Sequence, residues 1–215
     1  MSRPSRNIDR RLLETARAML PETGILGLKV REVARRAGVN LGMFHYHFRS
    51  KDAFVRGLLQ EIYEDFFARL HLETSGSGSP LDRLSRALLI VGRFARDNRN
   101  LFIVLLREAL SGDRGTMEFA KRNIPRHVGI ILGLYEECRR AGLVKPLAAP
   151  VAVSFLMGGI FGPNCVVSML ERAGARRPFG LSMKELSNLF LSDGAVEARM
   201  GLLMGALKAG GGKRP

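Results

Sequence analysis

Apolar residues recur along this chain at spacings of three and four, the signature of amphipathic helices. Ile8, Leu12, Ala16, Met19 and Leu20 share one helical face, and that segment is expected to stop between Pro21 and Gly24. Val30, Val33, Ala34 and Ala37 repeat the spacing over barely two turns before Gly38, whose missing Cβ suits a left-handed helix end. Asn40 is placed to cap the next helix, with Phe44 and Phe48 facing inward, and Ser50 to cap a longer one carrying Phe54, Leu58, Ile62, Phe66 and Leu70. Past the SGSGSP run at 75–80, the clearest linker, the pattern predicts helices at 80–97, 99–111 and 115–141, the last bent or restarted at Pro125. Further helices are expected at 149–170, 182–191 and from Ser192 to Lys208, with the AGGGKRP end frayed.

Composition supports an all-α fold: 31 Leu and 20 Ala against 4 Thr, 3 Tyr and no Trp exclude an all-β one. The 215 residues carry 34 Lys/Arg and 20 Asp/Glu, net +14, which favours a polyanionic partner: DNA, RNA or an anionic membrane. Residues 1–56 hold 12 Lys/Arg against 5 Asp/Glu, so charge density is highest at the head. The expected division is a basic head at 1–56 and a helical remainder at 57–215. Cys138 and Cys165 have no CxxC or Cys/His ligand spacing, and MSRPSRNIDRR leads into the chain without an apolar signal core. The reading is a reduced, cytoplasmic protein with no metal site and no cofactor. From Pro146 to Leu170 no residue is charged, a length that could cross a bilayer. Pro150, Pro163, Asn164, Ser154 and Ser168 within it, and the lack of an aromatic belt, favour a helix buried on nearly all sides in protein, with no membrane partner.

Residues 29–48, KVREVARRAGVNLGMFHYHF, have helix-turn-helix spacing. Val33, Ala34, Val39, Phe44 and Phe48 would pack inward, leaving Gly42, Met43, His45 and Tyr46 outward on a short helix suited to the DNA major groove. Arg31, Arg35 or Arg36, Arg49 and Lys51 would bind phosphates beside it. His45 and His47 offer only two metal ligands with no third nearby, so solvated or phosphate-facing histidines are the reading.

Residues 12–58 resemble the DNA-binding head of the TetR family of transcriptional regulators, through Ala16, Gly24, Val33-Ala34, Ala37-Gly38-Val39, Gly42, Tyr46-His47-Phe48 and Ser50-Lys51. The resemblance implies an all-helical homodimer whose C-terminal domain binds a small-molecule effector and which leaves its DNA operator on binding it. Position by position it places Arg31 near base edges, Gly42, Met43 and Tyr46 on the groove face, and His47 and Lys51 on phosphates, with Asn40 and His45 completing the DNA-binding set. Three positions depart from the family pattern: Lys29 replaces a capping Thr, Phe44 a Leu, and His45 a phosphate-binding Tyr.

In the second domain, Phe94, Phe102, Met117, His127, Ile131, Tyr135, Phe155 and Phe161 are candidates to line an effector pocket. Gly158, Gly159 and Gly162 form a smooth patch that would meet the last helix, with Met200, Leu203 and Leu207, in a four-helix dimer interface. No P-loop, GxGxxG, GxSxG or HExxH is present, so the chain is not read as an enzyme, and the resemblance implies a repressor. The competing reading is a constitutive DNA-binding or nucleoid protein without an effector.

Overall fold

The computed structural model describes residues 4–209, with side chains from Asn7 onward; the AGGGKRP end lies outside this range apart from Ala209. Ten α-helices follow in order: α1 Pro4–Gly27, α2 Val30–Arg36, α3 Leu41–His47, α4 Lys51–Ser75, α5 Pro80–Asp97, α6 Arg99–Leu110, α7 Arg114–Arg140, α8 Ala149–Arg172, α9 Met183–Leu191 and α10 Asp193–Leu207. Among the described residues there is no strand, only an isolated bridge between Val144 and Lys208.

The chain separates into two compact units, residues 1–65 with 104–119, and residues 66–103 with 120–215. The first is built on the buried faces of the short helices: Leu12, Ala16 and Met19 from α1, Val33 and Ala34 from α2, Phe44 from α3 and Phe54 and Leu58 from α4. Its centre is aromatic, with the Phe44 ring 4.9 Å from Phe54 and 5.7 Å from Phe48. The first helix runs through Pro21 and its backbone breaks at Gly24, at φ 59 and ψ 176, within the stretch where its end was expected.

The second unit packs α5 against α8 and α10, burying Leu84, Leu88 and Val91, Leu156 and Ile160, and Val196 and Met200. At the rim, Arg93 pairs with Glu197 at 2.7 Å and Arg96 with Asp193 at 2.7 Å, tying α5 to α10. The Tyr135 hydroxyl on α7 donates to the Lys145 carbonyl at 2.8 Å and accepts from the Leu147 N–H at 3.2 Å, which fixes the connection into α8. α7 continues as one helix through Pro125.

Helix α8, without a charge as far as Leu170, is not buried on nearly all sides. Only 39% of its most apolar window is covered within the chain, and Val151, Phe155, Val166 and Met169 stand exposed on its outer side. Its length and apolarity also meet the requirements for a bilayer span, a property shared with core helices.

Candidate nucleic-acid interface

The geometry of the head starts from two turns. At Gly38, φ is +62, and the Val39 N–H reaches back to the Ala34 carbonyl at 2.9 Å while the Gly38 N–H bonds the Arg35 carbonyl. This is the double-bonded helix end that a residue without Cβ permits. Arg11 of α1 closes the same turn by donating to the Ala37 carbonyl at 2.5 Å, a contact that spacing within the 29–48 motif could not reveal. Asn40 then starts α3: its Oδ1 accepts from the Gly42 N–H at 2.7 Å, satisfying one of the helix's free donors. A Cβ on Gly42 would sit 3.3 Å from that oxygen, so the small residue and the cap belong together. α2 begins at Lys29 with no side-chain cap, as expected from the loss of Thr there.

With Phe44 buried, α3 leaves Gly42, Met43, His45 and Tyr46 on the outside, Tyr46 being 76% exposed. The groove-facing set inferred from spacing is therefore brought together on one accessible surface. Arg31, Arg49 and Lys51 are exposed around it, and Lys51 lies at the N-terminus of α4, its Nζ 3.4 Å from the Leu26 carbonyl. Ser50 caps that helix through the Ala53 N–H at 3.1 Å.

His47 is a correction. Its side chain is only 4% exposed, its Nδ1 lies against the Asp9 carboxylate of α1, and its Nε2 is buried without a partner. It holds α1 to the end of α3 and does not reach the outer surface where a phosphate would lie. The signal was present in the spacing, since His47 falls three residues after the inward-facing Phe44. Its partner, far upstream on another helix, was not legible.

Arg35 and Arg36 are both drawn onto Glu32, at 2.6 and 2.8 Å, and Arg36 also reaches Glu22 at 3.3 Å. Hydrogen bonds from Arg35 and then Arg36 hold the Glu32 carboxyl down at about 2. Within the described head, these two guanidiniums are paired internally, while Arg31 has no ion pair.

In the second unit, four of the eight pocket candidates meet. Phe102 is edge-on to Phe94 at 5.7 Å and to Phe161 at 5.1 Å, and Phe94 stacks on Phe66 at 4.1 Å. Phe66, which spacing alone had assigned to a helix stripe, in turn touches His127 at 5.7 Å. The remaining four do not join this row. Ile131 and Tyr135 are fully buried in the core, and the Tyr135 hydroxyl is occupied by the backbone contacts described above. Met117 belongs to the other unit, and Phe155 is 45% exposed on the outer side of α8.

Among the six proposed dimer residues, Gly158 and Gly162 are exposed with nothing within 4 Å of an added Cβ. Gly159, Met200, Leu203 and Leu207 are corrections: a Cβ on Gly159 would stand 2.6 Å from Leu203 of the same chain, and the three α10 side chains are buried. Gly159 and Leu203 close α8 onto α10 within the subunit, and Met200, Leu203 and Leu207 are turned into the core.

Comparison with known proteins agrees with this geometry. Residues 12–58 match the family model for bacterial regulatory proteins of the tetR family. Over 73 residues the chain is 38% identical to the transcriptional repressor KstR2 of Mycobacterium tuberculosis, covering 34% of this chain and 36% of the repressor. The chain thus spans about a third of that relative's length in alignable sequence. The fold extends further. A TetR transcription regulator from Haloarcula marismortui superposes with TM-score 0.72 at 16% identity, over 94% of this chain and 99% of that one. The regulator FadR of Bacillus subtilis, solved in complex with stearoyl-CoA, gives TM-score 0.65 at 18% identity over 92% and 98%. Residues 12–58 thus carry the head of the tetR family of bacterial regulatory proteins, and the helical fold of the chain is that of a TetR transcription regulator over 94% of its length.

Proposed function

We propose that this protein is a cytoplasmic, homodimeric transcriptional repressor, with a DNA-binding domain at 1–56 and an effector-binding and dimerisation domain at 57–215, released from a pseudo-palindromic operator by a small molecule. The observation that carries the reading is the exposed face of α3, Gly42, Met43, His45 and Tyr46, held by the Asn40 cap and flanked by Arg31 and Lys51. A short capped helix with an accessible polar and aromatic face and lateral cations fits the major groove and its phosphates. The similarity to a named repressor supports repression, and the stearoyl-CoA complex of the related fold supports a ligand-responsive second domain.

Dimerisation is assigned to the outer side of α8, where Val151, Phe155, Gly158, Gly162, Val166 and Met169 form an exposed apolar strip, together with Gly201, Leu202 and Gly205 of α10. An exposed strip of this kind marks an interface, and two copies of α8 and α10 would make a four-helix contact. An effector would act by binding one arrangement of the dimer better than the other, changing the separation of the two α3 helices.

The test is binding to an operator selected from random duplexes. Lys51→Ala should weaken all sequences alike and lower the salt slope by about 1, as loss of one phosphate contact does. Arg31→Ala should cost roughly 1 to 3 kcal/mol on the operator with little change on random DNA, as loss of a base contact does. Equal loss on both would move Arg31 to the backbone, and failure to select any sequence would favour a nucleoid-type protein.

A further inference from the structure

Two buried polar side chains on α8 each carry an unpaired oxygen. Asn164 is 3% exposed and Ser168 is fully buried. The Asn164 amide nitrogen donates to the Ile160 carbonyl at 2.7 Å, but its Oδ1 accepts from nothing, and the Ser168 hydroxyl has no partner at all. Folded proteins pair nearly all such groups, because each unpaired one forfeits its hydration without return. Here two stand one helical turn apart, on the same face of one helix.

What borders them has a definite chemistry. Phe161, three residues before Asn164, shares that face and meets Phe102 edge-on at 5.1 Å, which in turn meets Phe94. Beyond Ser168, three residues on, Glu171 is held by Arg99 at 3.2 Å. Since that cation is already matched by a carboxylate, the polar end offers no net positive charge to an anion. The Asn164 oxygen is an acceptor only, and repels a carboxylate or phosphate.

We propose that Asn164 and Ser168 form the polar end of a ligand site whose wall is Phe94, Phe102 and Phe161, and that it takes an uncharged ring compound bearing a hydroxyl. The hydroxyl donates its one proton to Asn164 Oδ1 and accepts from the Ser168 O–H, while the ring exchanges aromatic contacts with the three phenylalanines. A hydrocarbon of the same shape leaves both polar groups unpaired, which is how a buried hydrogen-bonding site discriminates. The proposal rests on the reading of the second domain as effector-binding and specifies its ligand class.

The matched probes 4-propylphenol and propylbenzene test it by calorimetry on the full-length protein. The phenol should bind roughly tenfold more tightly, the worth of one well-made buried hydrogen bond. That preference should collapse in Asn164→Leu and in Ser168→Ala. Asn164→Leu should melt no lower than the parent, because an apolar side chain of similar size removes an unpaired group. Equal binding of the two probes, binding of neither, or a preference that survives in both variants overturns the proposal. So does a lowered melting temperature in both variants without any hydroxyl preference, the outcome expected if the pair is satisfied by a buried water. Operator binding separates this site from the effector reading. A phenol that binds through Asn164 but leaves the protein on DNA keeps the site and removes the effector role. A different compound that releases DNA equally from parent and variants keeps the effector role and removes the site.

Discussion

Glu32 shows how one carboxylate decides what two arginines can do. It accepts from Arg35 and Arg36 together, and those bonds lower its pKa from 4.5 to about 2. A depressed acid stabilises the folded head above its unfolded value, so this contribution is present above 4.5 and lost as pH falls from there towards 2. Because both arginines are exposed and Glu32 is only half-buried, the consequence for DNA is more measurable than that for stability. Glu32→Gln should release Arg35 towards phosphate and leave Arg36 with Glu22 alone, raising affinity for random duplex more than for the operator and steepening the salt slope by up to about 1 per cation freed. Unchanged affinity for random DNA would show that Arg35 and Arg36 do not reach the backbone. His47 carries the opposite lesson. Its letter suits a phosphate contact, yet its place three residues after Phe44 turns it inward to Asp9.

Helices α8 and α10 show what periodicity can and cannot specify. Their boundaries were expected within two residues at each end, because caps such as Ser192, whose hydroxyl accepts from the Ala195 N–H at 3.2 Å, are local. Which face turns inward was not expected correctly, since an apolar residue on every side gives no preferred direction. Gly159 therefore meets Leu203 inside the subunit, while Gly158 and Gly162 remain outside. Two substitutions separate these roles. Gly159→Leu forces a side chain into a space where even a Cβ lies 2.6 Å from Leu203, and should lower stability by about 1 to 3 kcal/mol, the usual cost of overpacking. Gly162→Arg has room within the chain, and should leave melting unchanged at low concentration while shifting sedimentation from dimer to monomer. If both variants sediment as the parent does, the outer strip of α8 is not the dimer contact.

Taken as a molecule, the protein should lose stability on mild acidification through its second unit. Burial, only partly opposed by a backbone hydrogen bond at Asn123, pushes the His127 pKa below the ordinary 6.5. The unfolded chain then binds a proton that the folded one refuses, so stability is full above 6.5 and declines as pH falls from there towards the lowered folded value. His127→Phe, beside Phe66, should flatten the melting temperature between about pH 5 and 7, the window set by the ordinary histidine value. An unchanged slope would place the acid sensitivity elsewhere. The ten helices, the Gly38 turn, the Asn40 and Ser50 caps and the outward face of α3 were all legible in the linear order of residues, because each depends on neighbours within about four positions. The Asp9–His47 contact, the closure of Gly159 on Leu203, the meeting of Phe66 with Phe94 and the unpaired Asn164 and Ser168 were settled only when distant helices packed. Those depend on which of several equally apolar faces finds a partner, and a choice among such faces is made by the whole core at once.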